Sequence, residues 1–133
     1  MIPILMAALL AAPSADTVIG TWNSPTKHGV IQISKCGSTI CGTLRDGDDM
    51  RANPNARDTN NSDPKLQTRP LKGLNIFSGF TPGDGGWENG EVYDPSKGKT
   101  YSGKITIKDA NTLTLRGCIF VPLCRTDTWT RAR

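Results

Sequence analysis

Apolar and polar residues alternate along most of the chain beyond residue 15. Ile31 and Ile33 flank a polar residue, and the same alternation runs through residues 40–44, 105–108 and 112–115. A period of two is typical of half-buried β-strands, and no stretch shows the longer period of an amphipathic helix. The pattern therefore predicts about eight short strands joined mostly by short turns.

The predicted strands are enough for one all-β domain, which we assign to residues 16–133. The chain has 133 residues, the length of a single domain, and its 14 glycines and 9 prolines favour turns over long helices. A small antiparallel sheet closes most economically into an up-and-down β-barrel, because closure leaves no exposed edge. A two-sheet sandwich is the alternative.

The stretch "VYDPSKGKTYSG", residues 92–103, combines polar side chains in a way that also suits an active site. Asp94 and Pro95 are typical of the start of a type I turn, and Gly98 suits a left-handed position in a hairpin loop. The flanks would then pair as strands, with Tyr93 and Tyr101 facing each other across them. We favour the hairpin because the stretch contains no defined nucleophile and base.

Residues 1–15, "MIPILMAALLAAPSA", carry no charge and end in small residues just before Asp16. This composition predicts a cleaved secretory signal peptide, and hence an exported protein. The alternative is a short buried helix or strand at the N-terminus. No later segment approaches the roughly 18 consecutive apolar residues of a transmembrane helix.

The four cysteines form two close pairs, which suits local disulfides in an oxidising compartment. We expect Cys36–Cys41, across a four-residue hairpin loop, and Cys118–Cys124. A zinc site is the alternative, but the spacings exceed those of a zinc knuckle and His28 is remote from both pairs.

Residues 46–70 form a long polar stretch rich in Asp, Asn, Pro and Arg. We interpret it as a lid held by Asx turns, because its acidic residues lack the spacing of a calcium-binding EF-hand. Asp58, Asn61 and Arg69 are candidate binding residues, with Arg69 holding a carboxylate or phosphate at the barrel mouth. The interpretation that we favour is that Arg69 and Asp58 bind each other. Trp87 is a candidate aromatic platform, although burial explains it equally.

The charge pattern argues against nucleic acid as a partner. The net charge is +4, but the 16 Lys and Arg residues are scattered, with no basic cluster interleaved with aromatic residues. The sequence shows no nucleophile, base or metal cluster either, so we expect neither an enzyme nor a cofactor.

Several segments together resemble a bacterial family of exported proteins, the domain of unknown function 2147. They include "GTWNSP", "RPLKGLNIFSGF", "GWENGEVYDPSKGKTYSGKITI" and "RTDTWTR", and the likeness runs from about Gly20 to Arg131. Cys118, Cys124 and Asp127 depart from the pattern. The family's label carries no established activity, so the resemblance implies a fold and a bacterial periplasmic or secreted location.

The two ends of the domain also resemble the calycin pattern of lipocalins and fatty-acid-binding proteins. Gly20 and Trp22 open the first strand, and Trp129 and Arg131 lie in the last. The resemblance implies a lipocalin-like barrel in which Arg131 packs over Trp22 at the closed end.

These observations favour a small envelope protein whose barrel binds a small apolar or amphipathic ligand. The alternative is a filled barrel that acts as a protein-interaction or envelope-stress adaptor, with an enzyme ranked last. The candidate ligand-binding residues are Trp87, Arg69, Asp58, Asn61, Tyr93 and Tyr101.

Overall fold

Nine β-strands dominate the structure, a computed structural model that describes residues 14–133. Three short helices accompany them: two 3-10 helices, η1 (Ala15–Val18) and η2 (Thr26–His28), and the α-helix α1 (Asp48–Ala52). The strands are β1 (Gly20–Asn23), β2 (Val30–Cys36), β3 (Thr39–Asp46), β4 (Phe77–Ser78), β5 (Thr81–Gly83), β6 (Gly86–Asp94), β7 (Lys99–Asp109), β8 (Thr112–Phe120) and β9 (Leu123–Arg131).

The strands form one antiparallel sheet that curls into a nearly closed barrel. Its order is β3-β2-β1-β9-β8-β7-β6-β4, and β5 pairs with β6. Backbone hydrogen bonds near the Thr43–Asn75 bridge join β3 to the segment before β4. The predicted all-β, up-and-down barrel is therefore confirmed, and a two-sheet sandwich is not what forms.

Alternation along the strands sorts side chains between the barrel interior and the outside. On β7, the buried Gly103, Ile105 and Ile107 alternate with more exposed neighbours, and Ile31 and Ile33 on β2 are buried in the same way. Most strands thus contribute one apolar face to the core, whereas β5 has no buried residue. Among residues 14–133, no helix reaches the length and apolar character that crossing a bilayer demands.

The turns define two ends of the barrel. We call "mouth" the end that carries η2, α1, the β6–β7 turn (residues 95–98) and the β8–β9 turn (residues 121–122). The opposite, closed end carries the β2–β3 turn (residues 37–38), the β7–β8 turn (residues 110–111) and η1, which packs beside the first strand.

The stretch from Val92 to Gly103 forms the predicted β-hairpin. Asp94 accepts hydrogen bonds from the Ser96 backbone N–H at 2.9 Å and from its hydroxyl at 2.6 Å, and Gly98 has a φ of 64°. The pairing of the two tyrosines was wrong, because the four-residue loop sets a register in which Tyr93 lies opposite Thr100. Tyr93 and Tyr101 therefore point to opposite faces of the sheet.

Both predicted disulfides are confirmed. Cys118 lies directly opposite Cys124, with 4.0 Å between their Cα atoms. The Cys36–Cys41 bond is diagonal, because the β2–β3 turn has only two residues and Cys36 lies opposite Thr39. The expected four-residue loop was therefore wrong, although the pairing of the cysteines was correct.

The polar stretch 46–70 is more ordered than the sequence indicated. It contains α1 and an isolated bridge between Arg57 and Pro70. Asx turns follow, as expected: the backbone N–H of Asn55 donates to Asn53, and that of Lys65 donates to Asp63. Only residues 46–50 line the cavity, and Asn60 contacts the β6–β7 turn from outside by donating to the Pro95 carbonyl at 3.1 Å, so most of the stretch is not a lid over the cavity.

The predicted signal peptide lies almost wholly outside the described residues. Its last residue, Ala15, belongs to η1, and its carbonyl accepts a hydrogen bond from Trp87 Nε1 at 2.9 Å. Cleavage of a signal peptide after Ala15 would therefore remove the first residue of η1.

Candidate functional site

A cavity of about 490 Å³ lies at the mouth of the barrel. Its walls come from β2, β3, β6, β7, β8 and β9 and from Leu71 and Ile76 in the segment before β4. The principal apolar side chains of the wall are Ile31, Leu44, Leu71, Ile76, Val92, Leu115 and Trp129. The barrel is therefore packed toward the closed end and hollow toward the mouth.

Polar and charged side chains surround the opening. Aspartates outnumber cations among the residues that line the site, which include Asp48 and Asp49 of α1 as well as Lys97 and Arg125. Most of the opening is thus polar, while the wall below it is apolar. Such an arrangement suits an amphipathic molecule better than a uniformly polar one.

Ion pairs fix part of this polar opening. Arg51 contacts Asp46 at 3.1 Å and Asp48 at 3.5 Å, and Arg125 contacts Asp127 at 2.9 Å. A hydrogen bond from the Gly47 backbone, assisted by Arg51, lowers the pKa of Asp46. The lowered pKa keeps the Asp46 carboxylate charged at neutral pH.

Trp129 forms part of the cavity wall from β9. It is buried and stacks on Phe77, with 5.9 Å between ring centroids and an interplanar angle of 21°. Its indole N–H has no hydrogen-bond partner among the residues that the structure describes. Among the described residues it is the one buried side-chain nitrogen or oxygen without a hydrogen-bond partner.

The closed end is sealed by Arg131 and Trp22. The guanidinium carbon of Arg131 lies 4.4 Å from the Trp22 ring centroid, as the calycin resemblance implied. The same guanidinium group donates hydrogen bonds of 2.6 to 3.0 Å to the backbone carbonyls of Thr17, Ile19 and Ala110. The Arg131 side chain thus connects β9 with η1 and with the β7–β8 turn.

Gly20 is required by this arrangement. Its φ is 138°, and a Cβ at this position would collide with the Arg131 guanidinium. Trp22 completes the seal by donating from Nε1 to the Val18 carbonyl at 2.8 Å. The Gly-x-Trp pattern therefore serves the closed end and not the cavity.

Asp58, Asn61, Arg69 and Tyr93 form one cluster, which we call the Asp58 cluster, on the outer face of β6. Asp58 is 1% exposed and accepts hydrogen bonds from Tyr93 Oη at 2.6 Å, Arg69 Nε at 2.9 Å and Asn61 Nδ2 at 2.9 Å. Arg69 also lies over the Tyr93 ring, 5.4 Å from its centroid. The interpretation in which Arg69 and Asp58 bind each other is therefore the one that the geometry supports.

The Asp58 cluster strongly perturbs its tyrosine. Burial, together with the hydrogen bond and negative charge of Asp58, raises the pKa of Tyr93 to about 12. The phenol is therefore a permanent donor at neutral pH, and it locks the loop to the barrel.

The predicted binding residues fall into two groups. Tyr101 lines the cavity from β7, and Tyr93 borders it while its hydroxyl points away toward Asp58. Asp58, Asn61 and Arg69 do not line it.

Trp87 does not line the cavity either. It is buried, and Lys35 lies over its ring at 5.4 Å while pairing with Asp16 at 2.9 Å. Burial, and not ligand contact, explains this tryptophan.

The residues of the β8–β9 hairpin tip were not among the binding residues predicted from the sequence. Ile119, Pro122 and Leu123 line the cavity near its opening. The uninterrupted apolar run between Cys118 and Cys124 was the available signal, since a hairpin tip is normally polar.

A family model matches residues 20–131 of the chain, and its family is described as "Uncharacterized protein conserved in bacteria (DUF2147)". The chain belongs to the DUF2147 family. This match agrees with the resemblance drawn from the sequence segments and spans nearly the whole barrel. A comparison with curated proteins found no match.

The DUF2147 barrel is also similar to a solved structure. Protein HP1028 from the human pathogen Helicobacter pylori, described as belonging to the lipocalin family, superposes with a TM-score of 0.77. The two chains are 19% identical, and the match covers 87% of this chain and 83% of the other. At this identity the similarity shows the fold, which is lipocalin-like.

Proposed function

We propose that the protein binds a small apolar or amphipathic molecule in the cavity at the mouth of its barrel. The observation that carries the proposal is the cavity itself, of about 490 Å³ and walled by inward-facing apolar side chains. Protein sites for small molecules commonly enclose about 300 to 1,000 Å³ and are mostly apolar with a few polar groups. A filled barrel acting only through its surface would offer no such space.

The distribution of polarity suggests how the ligand lies. Its apolar part would pack against Leu115, Val92 and Trp129, and its polar part would remain near Lys97 and Arg125 at the opening. These features favour an amphipathic ligand over a pure hydrocarbon.

Export to the bacterial periplasm or beyond is part of the proposal. The bacterial family, the apolar composition of residues 1–15 and the two disulfides support it. A binding function is favoured over catalysis because the cavity wall consists of apolar side chains. Within the described part of the chain, no three His, Cys, Asp or Glu side chains are grouped closely enough to hold a metal ion.

The first test is native mass spectrometry of protein purified from its natural compartment. We expect a co-purifying small molecule that is released on unfolding. The second test is titration with a fluorescent fatty acid, with the quenching of tryptophan emission followed in the protein and in a Trp129→Phe variant.

Gly117 offers a variant that fills the cavity without disturbing the barrel. It lines the cavity from β8, and a Cβ there would lie 3.4 Å from the Tyr101 Cβ, an ordinary contact. Gly117→Leu should therefore weaken fatty-acid binding at least tenfold while folding normally, since glycine is a poor strand residue. Thr128→Leu is the matched control, because it adds the same side chain on the outer face of β9. Equal binding by both variants would contradict the proposed site.

A further inference from the structure

The tip of the β8–β9 hairpin exposes an unusual amount of apolar surface. Ile119 is 59% exposed, Phe120 61%, Val121 73% and Leu123 55%. With Pro122 they make five consecutive residues without a polar side chain, and the Cys118–Cys124 disulfide clamps them at their base. We call residues 119–123 the apolar tip.

The apolar tip stands beside the opening of the cavity. Ile119, Pro122 and Leu123 line that opening, whereas Phe120 and Val121 do not line the cavity. One side of the tip therefore continues the apolar wall outward, and the other side faces solvent.

The area of the tip is small for a protein partner. The exposed fractions of the tip residues, taken with the ordinary surface areas of these side chains, correspond to roughly 500 Å² of exposed surface. A standard protein interface covers about 800 Å² on each partner. Protein interfaces also surround their apolar centre with polar groups that bond across the contact. A convex wedge of five apolar residues fits insertion into lipid better than docking to a second folded surface.

The charges around the tip favour anionic headgroups. Arg116 and Arg125 flank it on its own two strands, and Lys97 and Lys99 lie at the neighbouring β6–β7 turn. The acidic helix α1 follows β3, which lies across the mouth from β8 in the order of the sheet. Arg125 pairs with Asp127, whereas Lys97, Lys99 and Arg116 form no ion pair with another described residue, so these three cations beside the tip can attract an anionic membrane surface.

We propose that the apolar tip inserts into the surface of an anionic lipid bilayer and that the cavity exchanges its ligand there. The exchange rests on the proposed ligand-binding function. Insertion of the tip does not depend on it and can be measured alone. In the docked state the opening of the cavity would face the acyl chains. An apolar molecule could then move between the bilayer and the cavity without crossing water.

The test is flotation of the protein with vesicles of phosphatidylcholine alone and of phosphatidylcholine with phosphatidylglycerol. We expect binding to the anionic vesicles, weakened by salt because the headgroup attraction is screened. The double variant Phe120→Ser/Val121→Ser should lose at least tenfold in vesicle affinity. Leu66→Ser is the matched control, since Leu66 is 38% exposed but lies in the polar loop, and it should bind like the natural protein.

Two measurements separate this proposal from the cavity function. The double variant should keep its affinity for a fluorescent fatty acid in the absence of vesicles, while Gly117→Leu should lose that affinity and still float with anionic vesicles. Failure of the natural protein to float, or equal flotation of the double variant, overturns the proposal. Sedimentation could instead show that the natural protein is a dimer and the double variant a monomer, with no vesicle binding by either. The tip would then be an interface between two copies of this chain.

Discussion

Arg131 in the last strand lies over the indole ring of Trp22 in the first, with 4.4 Å between the guanidinium carbon and the ring centroid. The two strands are neighbours in the sheet, and Trp22 pairs directly with Arg131 across them. This contact closes the barrel at the end opposite to the cavity. It also stabilises η1, because the guanidinium group donates to the carbonyls of Thr17 and Ile19.

Arg131→Ala should therefore destabilise the protein by about 1 to 3 kcal/mol, because it removes packing against the indole and leaves the partly buried carbonyls of Thr17 and Ile19 without this donor. Urea unfolding measures the change in the free energy of unfolding. Arg133→Ala is the control, since Arg133 is exposed beyond the end of β9. Equal and negligible effects of the two substitutions would show that Arg131 is only a surface cation.

Gly20→Ala tests the same contact from the other side. The φ of 138° is unfavourable for alanine, and the added Cβ would displace the Arg131 guanidinium. We expect a loss of about 2 kcal/mol or more in the free energy of unfolding. Gly37→Ala, at a left-handed turn position with open space around its Cβ, provides a control for the backbone effect alone. The contact with Arg131 would be unimportant if both alanine variants lost the same stability.

The alternation of residues along the chain predicted the strands because burial of one face leaves a period of two in the sequence. It did not predict the register of the hairpins. Cys36 lies opposite Thr39 because the turn between them has two residues, and a sequence of small polar residues allows several turn lengths. The same uncertainty explains the wrong pairing of Tyr93 and Tyr101.

The cavity could not be predicted from the same pattern. An inward position is recognised by its place in the alternation, but the free space depends on how side chains from separate strands meet. Gly117 leaves space beside Tyr101, whereas a Cβ at Gly103 would meet Phe80 at 2.8 Å, although both glycines face inward. The exposure of the apolar tip was not predicted for a related reason. An apolar residue in a strand has the same appearance in the sequence whether it is buried or exposed.

The two disulfides predict a simple peptide map. Trypsin cuts after Lys and Arg, so Cys36 and Cys41 fall in one peptide, residues 36–45, and Cys118 and Cys124 in another, residues 117–125. Without reduction, each peptide should have the mass of its internally oxidised form. A mass that joins the two peptides would reveal crossed disulfides and contradict the structure of both hairpins.

Export predicts that the N-terminal sequence of protein from a fractionated cell lacks Met1. The hydrogen bond from Trp87 to the Ala15 carbonyl makes Ala15 part of the folded domain, so we expect a first residue at or before Ala15. Edman sequencing or intact mass of the periplasmic protein measures this directly. An intact Met1 in a cytoplasmic fraction would contradict export, and a start at Asp16 would show that Trp87 folds without that acceptor.

The Asp58 cluster makes stability depend on alkaline pH. The pKa of Tyr93 is about 12 in the folded protein, above its ordinary value of 10.0, so the folded state holds the phenolic proton more tightly. The resulting stabilisation is complete below pH 10 and is lost as the pH rises toward 12.

Tyr93→Phe removes this titration together with the hydrogen bond to Asp58. At neutral pH the substitution should cost about 1 to 2 kcal/mol, because the buried carboxylate loses one of its three donors. The difference between the natural protein and the variant should then shrink above pH 10, since the natural protein alone loses the contribution of the Tyr93 proton. Urea unfolding of both proteins at about pH 8 and about pH 11 measures it, and groups common to both cancel in the difference. A difference that stays constant or grows with pH would show that Tyr93 does not hold its proton through Asp58.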